Sequence, residues 1–272
     1  MLERQRLEAW AGAYPPVRTP KRVLVVMAGN IPLVGFFDLL CVLASGHACR
    51  VKPSSKDTVL IGYVVDLLRT IDPAIPLRMA EQGERLDAVI ATGSDNANRY
   101  FRMLFGGIPS LLRGSRQSVA VLSGRETAAE LSGLEEDIFA YSGLGCRNVS
   151  LLFLPRGYMP ELRCTALNEK YRRNYLRERA LLRMCRMPFV DLDGAVLCED
   201  RSFPAALSRI HYTFYDSLAD VEAWLAAHDD RLQCVVSQCV RHSRRVAFGR
   251  AQHPGLTDYA DDVDTMRFLG TI

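Results

Sequence analysis

Apolar positions fall into two textures between residues 21 and 122. Short runs at 23–27, 48–52, 87–91 and 119–122 are mainly apolar, with Arg50, Lys52 and Asp87 as the charged exceptions, and read as strands covered on both faces. Longer stretches lie between them. Residues 34–45 form one that is apolar on nearly every side and is closed by Gly46. A second runs from Asp57, placed as an N-cap, to about residue 70, and a third from about residue 95 to 104. Strands alternating with helices predict βαβ units and a parallel sheet covered on both faces. Residues 1–20 are polar and end in Tyr14-Pro15-Pro16, which predicts an arm leading into the fold.

The texture changes near residue 115. The pattern predicts strands at 149–154, 209–215 and 232–237, a helix at 218–227, and a strongly basic helical stretch at 162–184 carrying Lys170, Arg172, Arg173, Arg177, Arg179 and Arg183. The expected organisation is a lobe over 1–114 (with the arm 1–20), a second α/β lobe over 115–250, and a C-terminal tail over 251–272. No internal repeat or low-complexity tract interrupts it.

Composition narrows the class. A chain of 272 residues, 49% hydrophobic and 24% charged, is expected to be a globular protein with one large domain or two moderate ones. A net charge of +3 argues against nucleic acid or an anionic membrane as the main partner. The most apolar window, 31–46, contains Asp38 and is too short to span a bilayer. No secretion leader is visible at the N-terminus, so a cytoplasmic location is expected. The eight cysteines are scattered without a CxxC pair, and His242 and His253 offer no matching ligands, so no metal is expected and reduced thiols are.

Four segments carry candidate chemistry. Ala28-Gly29-Asn30-Ile31-Pro32 follows a strand; it is either a tight turn or a place where the Asn30 amide points outward as a donor, and strand C-terminal ends are where ligands bind in open parallel sheets. Val51-Lys52-Pro53-Ser54-Ser55 ends the next strand, and Lys52 is either a solvated charge or a cation for ribose or phosphate. Ala91-Thr92-Gly93-Ser94 meets a helix N-terminus; it either caps that helix or binds phosphate there. In Ser142-Gly143-Leu144-Gly145-Cys146-Arg147-Asn148, two glycines permit a strained turn that presents a thiol beside an arginine, whereas the other cysteines lack flanking glycines. Arg241, Arg244 and Arg245 read first as a solvated face, with CoA phosphates as the alternative.

In this order, Gly-Asn-x-Pro, Lys-Pro-Ser, Thr-Gly-Ser and Gly-x-x-Cys resemble the aldehyde dehydrogenase superfamily. The text Gly29-Asn30-Ile31-Pro32-Leu33-Val34-Gly35, Ser45-Gly46-His47, Lys52-Pro53-Ser54-Ser55-Lys56-Asp57, Gly143-Leu144-Gly145-Cys146-Arg147-Asn148-Val149-Ser150 and the closing segment 256–265 look like the bacterial acyl-CoA reductases of the bioluminescence (fatty-acid reductase) type. The resemblance implies an α/β fold of aldehyde-dehydrogenase kind: a parallel Rossmann-like dinucleotide lobe and a smaller α/β catalytic lobe. It implies Cys146 as nucleophile, an oxyanion hole from Asn30 and the Cys146 N–H, Lys52, Ser54 and Ser55 by the adenosine ribose, and Gly93 and Ser94 by the pyrophosphate.

Departures refine it. Aldehyde-oxidising members keep a base before a Gly-Gly pair; the stretch here is Leu111-Leu112-Arg113-Gly114, without a carboxylate. An acyl-enzyme without that base exchanges with CoA instead of being hydrolysed. Ser55 replaces a frequent Glu that would repel a 2′-phosphate, which points to NADPH, with NADH permitted. Asn98 and Leu144 also depart from the pattern. The expectation is NADPH-dependent reduction of an acyl-CoA thioester to an aldehyde through S-acyl-Cys146. The alternatives are a non-acylating aldehyde dehydrogenase, or a non-catalytic or acyl-relay subunit. A homo-oligomer or an acyl-transferring or ligase partner is compatible with either.

Overall fold

The computed structural model describes residues 2–164 and 168–272. The chain forms two compact units, one of Met1–Ser115 with Gly255–Ile272 and one of Arg116–Pro254. They are nearly equal in length, so the second is not the smaller lobe expected.

In the first unit the elements are α1 (Arg4–Gly12), β1 (Arg22–Val26), α2 (Phe36–Ala44), β2 (Ala48–Lys52), α3 (Thr58–Ile71), β3 (Leu77–Met79), β4 (Ala88–Thr92), α4 (Asp95–Phe105), β5 (Ser110–Arg113) and, from the C-terminal segment, α8 (Thr265–Leu269). The five strands are all parallel in the order β3-β2-β1-β4-β5. Strand alternation divides the core. Val23, Val25, Val51 and Ile90 meet α2 and α3, whereas Leu24, Val89 and Ala91 meet Phe101 and Phe105 of α4. This is the doubly wound order, in which the sheet's direction of growth reverses between β1 and β4.

Two expectations are corrected here. Residues 1–20 are not merely an arm: α1 buries Trp10, whose Nε1 donates to Tyr259 Oη at 2.8 Å. Nor is 251–272 only a tail, because Tyr259, Met266 and Leu269 lie in the core of the first unit. Both segments are polar on average and show no clear period, but a few large apolar side chains suffice to dock them.

The second unit contains β6 (Gln117–Val121), α5 (Ala128–Phe139), a 3₁₀ turn Ala140–Gly143, β7 (Val149–Pro155), α6 (Glu169–Met184), β8 (Val190–Asp191), β9 (Val196–Glu199), β10 (Arg209–Tyr215), α7 (Leu218–Ala227), β11 (Leu232–Ser237) and β12 (Arg245–Val246). Its seven-stranded sheet runs β12-β11-β6-β7-β10-β9-β8, parallel except for the β8–β9 pair. Ala120, Leu152 and Leu154 pack towards α5, and Val121, Leu151 and Phe153 towards α7. The basic helix runs from Glu169, capped by the Asn168 carboxamide; residues 162–164 of the expected stretch are not helical, and 165–167 lie outside the described residues. No helix among the described residues is long and apolar enough to cross a membrane.

Candidate active site

Three of the four candidate segments follow neighbouring parallel strands of the first unit. Val26 of β1 lies opposite Lys52 of β2 and Ala91 of β4, so the loops after β2, β1 and β4 leave the same edge of the sheet side by side. Lys52 is the last residue of β2; it is exposed and makes no ion pair among the described residues. Ser55 is exposed next to it, while Ser54 is half-buried with its Oγ accepting from Lys56 N–H at 3.4 Å. Gly29 must be glycine for a packing reason, since a Cβ there would lie 2.4 Å from Ser54 Oγ. Asn30 is exposed in the turn after β1.

Asp57 stands at the N-cap of α3, yet its carboxylate makes no capping bond. It accepts instead from Leu33 N–H at 2.8 Å. Leu33 has φ 55°, and the buried Asp57 holds the Asn30 turn in that costly backbone region. The tertiary pull on Asp57 thus overrides its local role.

At β4 the Ser94 Oγ accepts from Ala97 N–H at 3.3 Å and caps α4. Gly93 is required by α4, because a Cβ would sit 2.9 Å from the Ala97 Cβ. The capping reading of this segment therefore has direct contacts behind it. For a dinucleotide, the best-fitting feature of this edge is the pair of donors exposed together after β2, the Lys52 ammonium, unpaired among the described residues, and the Ser55 hydroxyl.

The stretch 111–114 belongs to β5. Arg113 is 3% exposed; its Nη1 donates to both carboxylate oxygens of Asp38 at 2.6 Å, and its Nη2 to Thr265 Oγ1 at 2.7 Å. A buried cation tied in this way is structural.

The fourth segment lies wholly in the second unit. Cys146 is exposed on the loop between the 3₁₀ turn and β7. Three successive residues, Tyr141, Ser142 and Gly143, have φ of 51°, 54° and 65°, a conformation that only the glycine adopts cheaply. Buried Asn148 compensates. Its Nδ2 donates to the carbonyls of Asp137 (3.1 Å), Ile138 (3.1 Å) and Ala140 (2.9 Å), and its Oδ1 accepts from Gly145 N–H at 2.8 Å. On the other side of the cysteine, Ser118 Oγ donates to the Cys146 carbonyl at 2.9 Å and accepts from Cys234 N–H at 3.2 Å. Neither Asn148 nor Ser118 is marked as a positioning residue by the residue pattern; the one signal is the polar pair Gln117-Ser118 opening a strand that is otherwise apolar.

Asp137 supports the same loop from behind. Its carboxylate, fully buried, accepts from Gly249 N–H at 2.7 Å and Ala251 N–H at 2.9 Å, and burial raises its pKa to about 6. A cavity of about 240 Å³ adjoins the loop, lined by Gly143, Gly145, Asn148, Gln117, Tyr171 and Arg209 among others. Arg244 is not part of a solvated face: its side chain is 8% exposed and donates to the carbonyls of Leu232 and Asp229 and to the Asp229 carboxylate.

No protein-family model matches this sequence, and no curated protein matches it. Solved structures do resemble it. A putative aldehyde dehydrogenase from Burkholderia cenocepacia is 18% identical over 88% of this chain and 65% of its own, with a TM-score of 0.64. Staphylococcus aureus AldH, in a substrate-bound state, is 18% identical over 89% of this chain and 66% of its own (TM-score 0.57). Mycobacterium tuberculosis aldehyde dehydrogenase, complexed with NAD+, is 17% identical over 74% and 53% (TM-score 0.59). This chain therefore spans about half to two thirds of the length of these structures. Its fold is that of the aldehyde dehydrogenases.

Proposed function

We propose that the protein reduces an acyl-CoA thioester to an aldehyde with NADPH, using Cys146 as the acyl-carrying nucleophile. The observation that carries this reading is the Cys146 loop: an exposed thiol just after the strained backbone of residues 141–143, with hydrogen-bonded anchors on both sides, in a chain with the aldehyde dehydrogenase fold. Strain of this kind persists only where surrounding contacts over-determine it, and such sites concentrate where chemistry occurs.

In the proposed reaction Cys146 Sγ forms a bond to the thioester carbon, the C–S bond to CoA breaks, and CoA departs with the electron pair and takes up a proton. The tetrahedral oxyanion would be stabilised by donors that act on charge developing in the transition state; the Cys146 N–H is one, and the aldehyde dehydrogenase resemblance gives the Asn30 amide the same role. A bound nicotinamide would supply the hydride for the S-acyl carbon; the C–S bond to Cys146 then breaks, Sγ leaves with the electron pair as thiolate, and the aldehyde is released. Lys52 and Ser55 hold the adenosine ribose and its 2′-phosphate, with Ser54 beside them and Gly93 and Ser94 towards the pyrophosphate.

Arg113 favours a reductase over a hydrolytic aldehyde dehydrogenase. Where aldehyde-oxidising relatives carry a base, β5 carries a guanidinium committed to Asp38. Incubation with a panel of acyl-CoAs, followed by peptide mass spectrometry and aldehyde detection with NADPH or NADH, tests the reading. An acyl adduct on Cys146 and aldehyde formation are expected. In the reverse direction, from aldehyde, CoA and oxidised nicotinamide, free carboxylic acid instead of acyl-CoA would favour the hydrolytic enzyme, and failure to bind either nicotinamide in calorimetry would favour a non-catalytic subunit.

A further inference from the structure

We infer that Asn148 and Ser118 are positioning residues that aim the Cys146 N–H as an oxyanion donor; the inference rests on the proposed role of Cys146 as acyl acceptor. The peptide units on either side of Cys146 are each held by a hydrogen bond, one closing the turn from Asn148 and one reaching in from Ser118 of β6. Ahead of the cysteine, Asn148 contacts Gly145 twice: its Oδ1 accepts from Gly145 N–H at 2.8 Å, and its backbone N–H donates to the Gly145 carbonyl at 3.1 Å. The second bond sets the direction of the Gly145 C=O. In a planar trans peptide the N–H of the next residue points the opposite way, so fixing the Gly145 C=O fixes the Cys146 N–H. Behind the cysteine, Ser118 Oγ holds the Cys146 carbonyl at 2.9 Å.

Both anchors are themselves held. Ser118 is fully buried and also accepts from Cys234 N–H. Asn148 is 5% exposed, and its amide group donates to three carbonyls at the end of α5 and the 3₁₀ turn. Gly145 allows the close approach, since a Cβ on it would lie 3.0 Å from Asn148 Oδ1. The backbone dihedrals of Cys146 are thus set by a rigid frame built from α5, β6 and β11. A donor that is already oriented needs no reorganisation as charge develops, which is the condition for a large electrostatic contribution.

Two reactions at the same sulfur separate this role from simple loop packing. p-Nitrophenyl acetate acylates a thiol through a tetrahedral oxyanion: the S–C bond forms, the C–O bond breaks and nitrophenolate leaves with the electron pair. Iodoacetamide alkylates the thiol by direct displacement of iodide, with no oxyanion. Rates of both would be measured at Cys146 by peptide mass spectrometry, with exposed Cys185 in the same molecule as internal control. In Asn148→Asp, which keeps the acceptor for Gly145 N–H but loses the amide donors, and in Ser118→Ala, the acylation-to-alkylation ratio at Cys146 is expected to fall at least fivefold, with the Cys185 rates unchanged. A smaller fall in the ratio, or a parallel fall in both rates at Cys146, overturns the inference. If Asn148→Asp fails to fold by circular dichroism, Ser118→Ala alone decides. If wild-type Cys146 is alkylated but never acylated, it is the nucleophile reading that fails.

Discussion

Cys146 sits at the surface of its unit, so exchanging its sulfur for oxygen removes the nucleophile without disturbing packing. Cys146→Ser is expected to abolish both the acyl adduct and aldehyde formation while changing stability by less than about 0.5 kcal/mol in urea unfolding. Turnover near the wild-type rate would refute its role. Cys41→Ser should do the reverse: Cys41 is fully buried and burial pushes its thiol pKa well up, so a hydroxyl there should cost roughly 1–3 kcal/mol and leave the chemistry alone. Asn30→Ala is expected to lower kcat by about 10²–10³ with little change in KM; an effect confined to KM would reduce Asn30 to substrate positioning. For the cofactor, Ser55→Glu should shift kcat/KM from NADPH towards NADH, since its carboxylate would repel a 2′-phosphate beside Lys52. A wild type that already prefers NADH would displace 52–55 from the ribose. What the sequence made legible at this scale were residues with local peculiarities, such as a thiol between glycines or a lysine ending a strand. Asp57 and Ser118 were not legible in their roles, because each is defined by a partner 24 or more residues away.

At the scale of elements, α5 illustrates why part of the pattern stayed hidden. Its sequence carries Gly133 in mid-helix, which weakens the helical signal by about 1 kcal/mol relative to alanine. The structure needs that glycine, because a Cβ there would lie 2.8 Å from Gly249 N. The same close approach brings the Gly249–Ala251 backbone onto Asp137, and this gives a pH dependence with a definite sign. The carboxyl is ordinarily half-protonated near 3.8 and, in the fold, near about 6. The native state therefore binds more protons between those values, and stability contributed by Asp137 falls as pH rises from about 4 to 6, then stays level. Relative to Asp137→Asn, the wild type should lose on the order of 2–3 kcal/mol across that window in urea titrations; parallel pH curves for the two proteins would rule the assignment out. β5 offers a second test. Arg113→Met leaves the Asp38 carboxylate buried and unpaired and should cost about 3–5 kcal/mol, whereas Asp38→Leu with Arg113→Met should recover most of that loss. Equal stabilities of single and double variants would show that the pair is not coupled.

For the whole molecule, the alternation of apolar strands with helices announced the parallel sheet of the first half and an α/β second half, because a strand covered on both faces is apolar along most of its length. It could not announce that the first unit is closed by the C-terminal segment, whose contribution is a handful of tertiary contacts without any period. Those contacts are specific. Tyr259 Oη accepts from Trp10 Nε1 and shares a 2.7 Å hydrogen bond with Tyr14, which also donates to Asp264 at 3.0 Å. The Leu269 carbonyl lies 2.9 Å from Nε2 of fully buried His47, and Thr265 completes the surroundings of Arg113. Deleting residues 255–272 would therefore strip apolar cover from α2 and leave buried His47 and Arg113 each short of a partner. Every one of these losses falls on the first unit. The second unit, with its own sheet and the complete Cys146 loop, keeps all the hydrogen bonds described for it. Hydrogen exchange on the truncated chain should thus show β1, β2 and β4 exchanging rapidly while β6, β7 and β10 stay protected, and iodoacetamide should still alkylate Cys146 at close to the wild-type rate. Uniform loss of protection across both sheets would mean that the units fold as one cooperative body, and retained protection in β1 would mean that 255–272 is the accessory tail its sequence suggests.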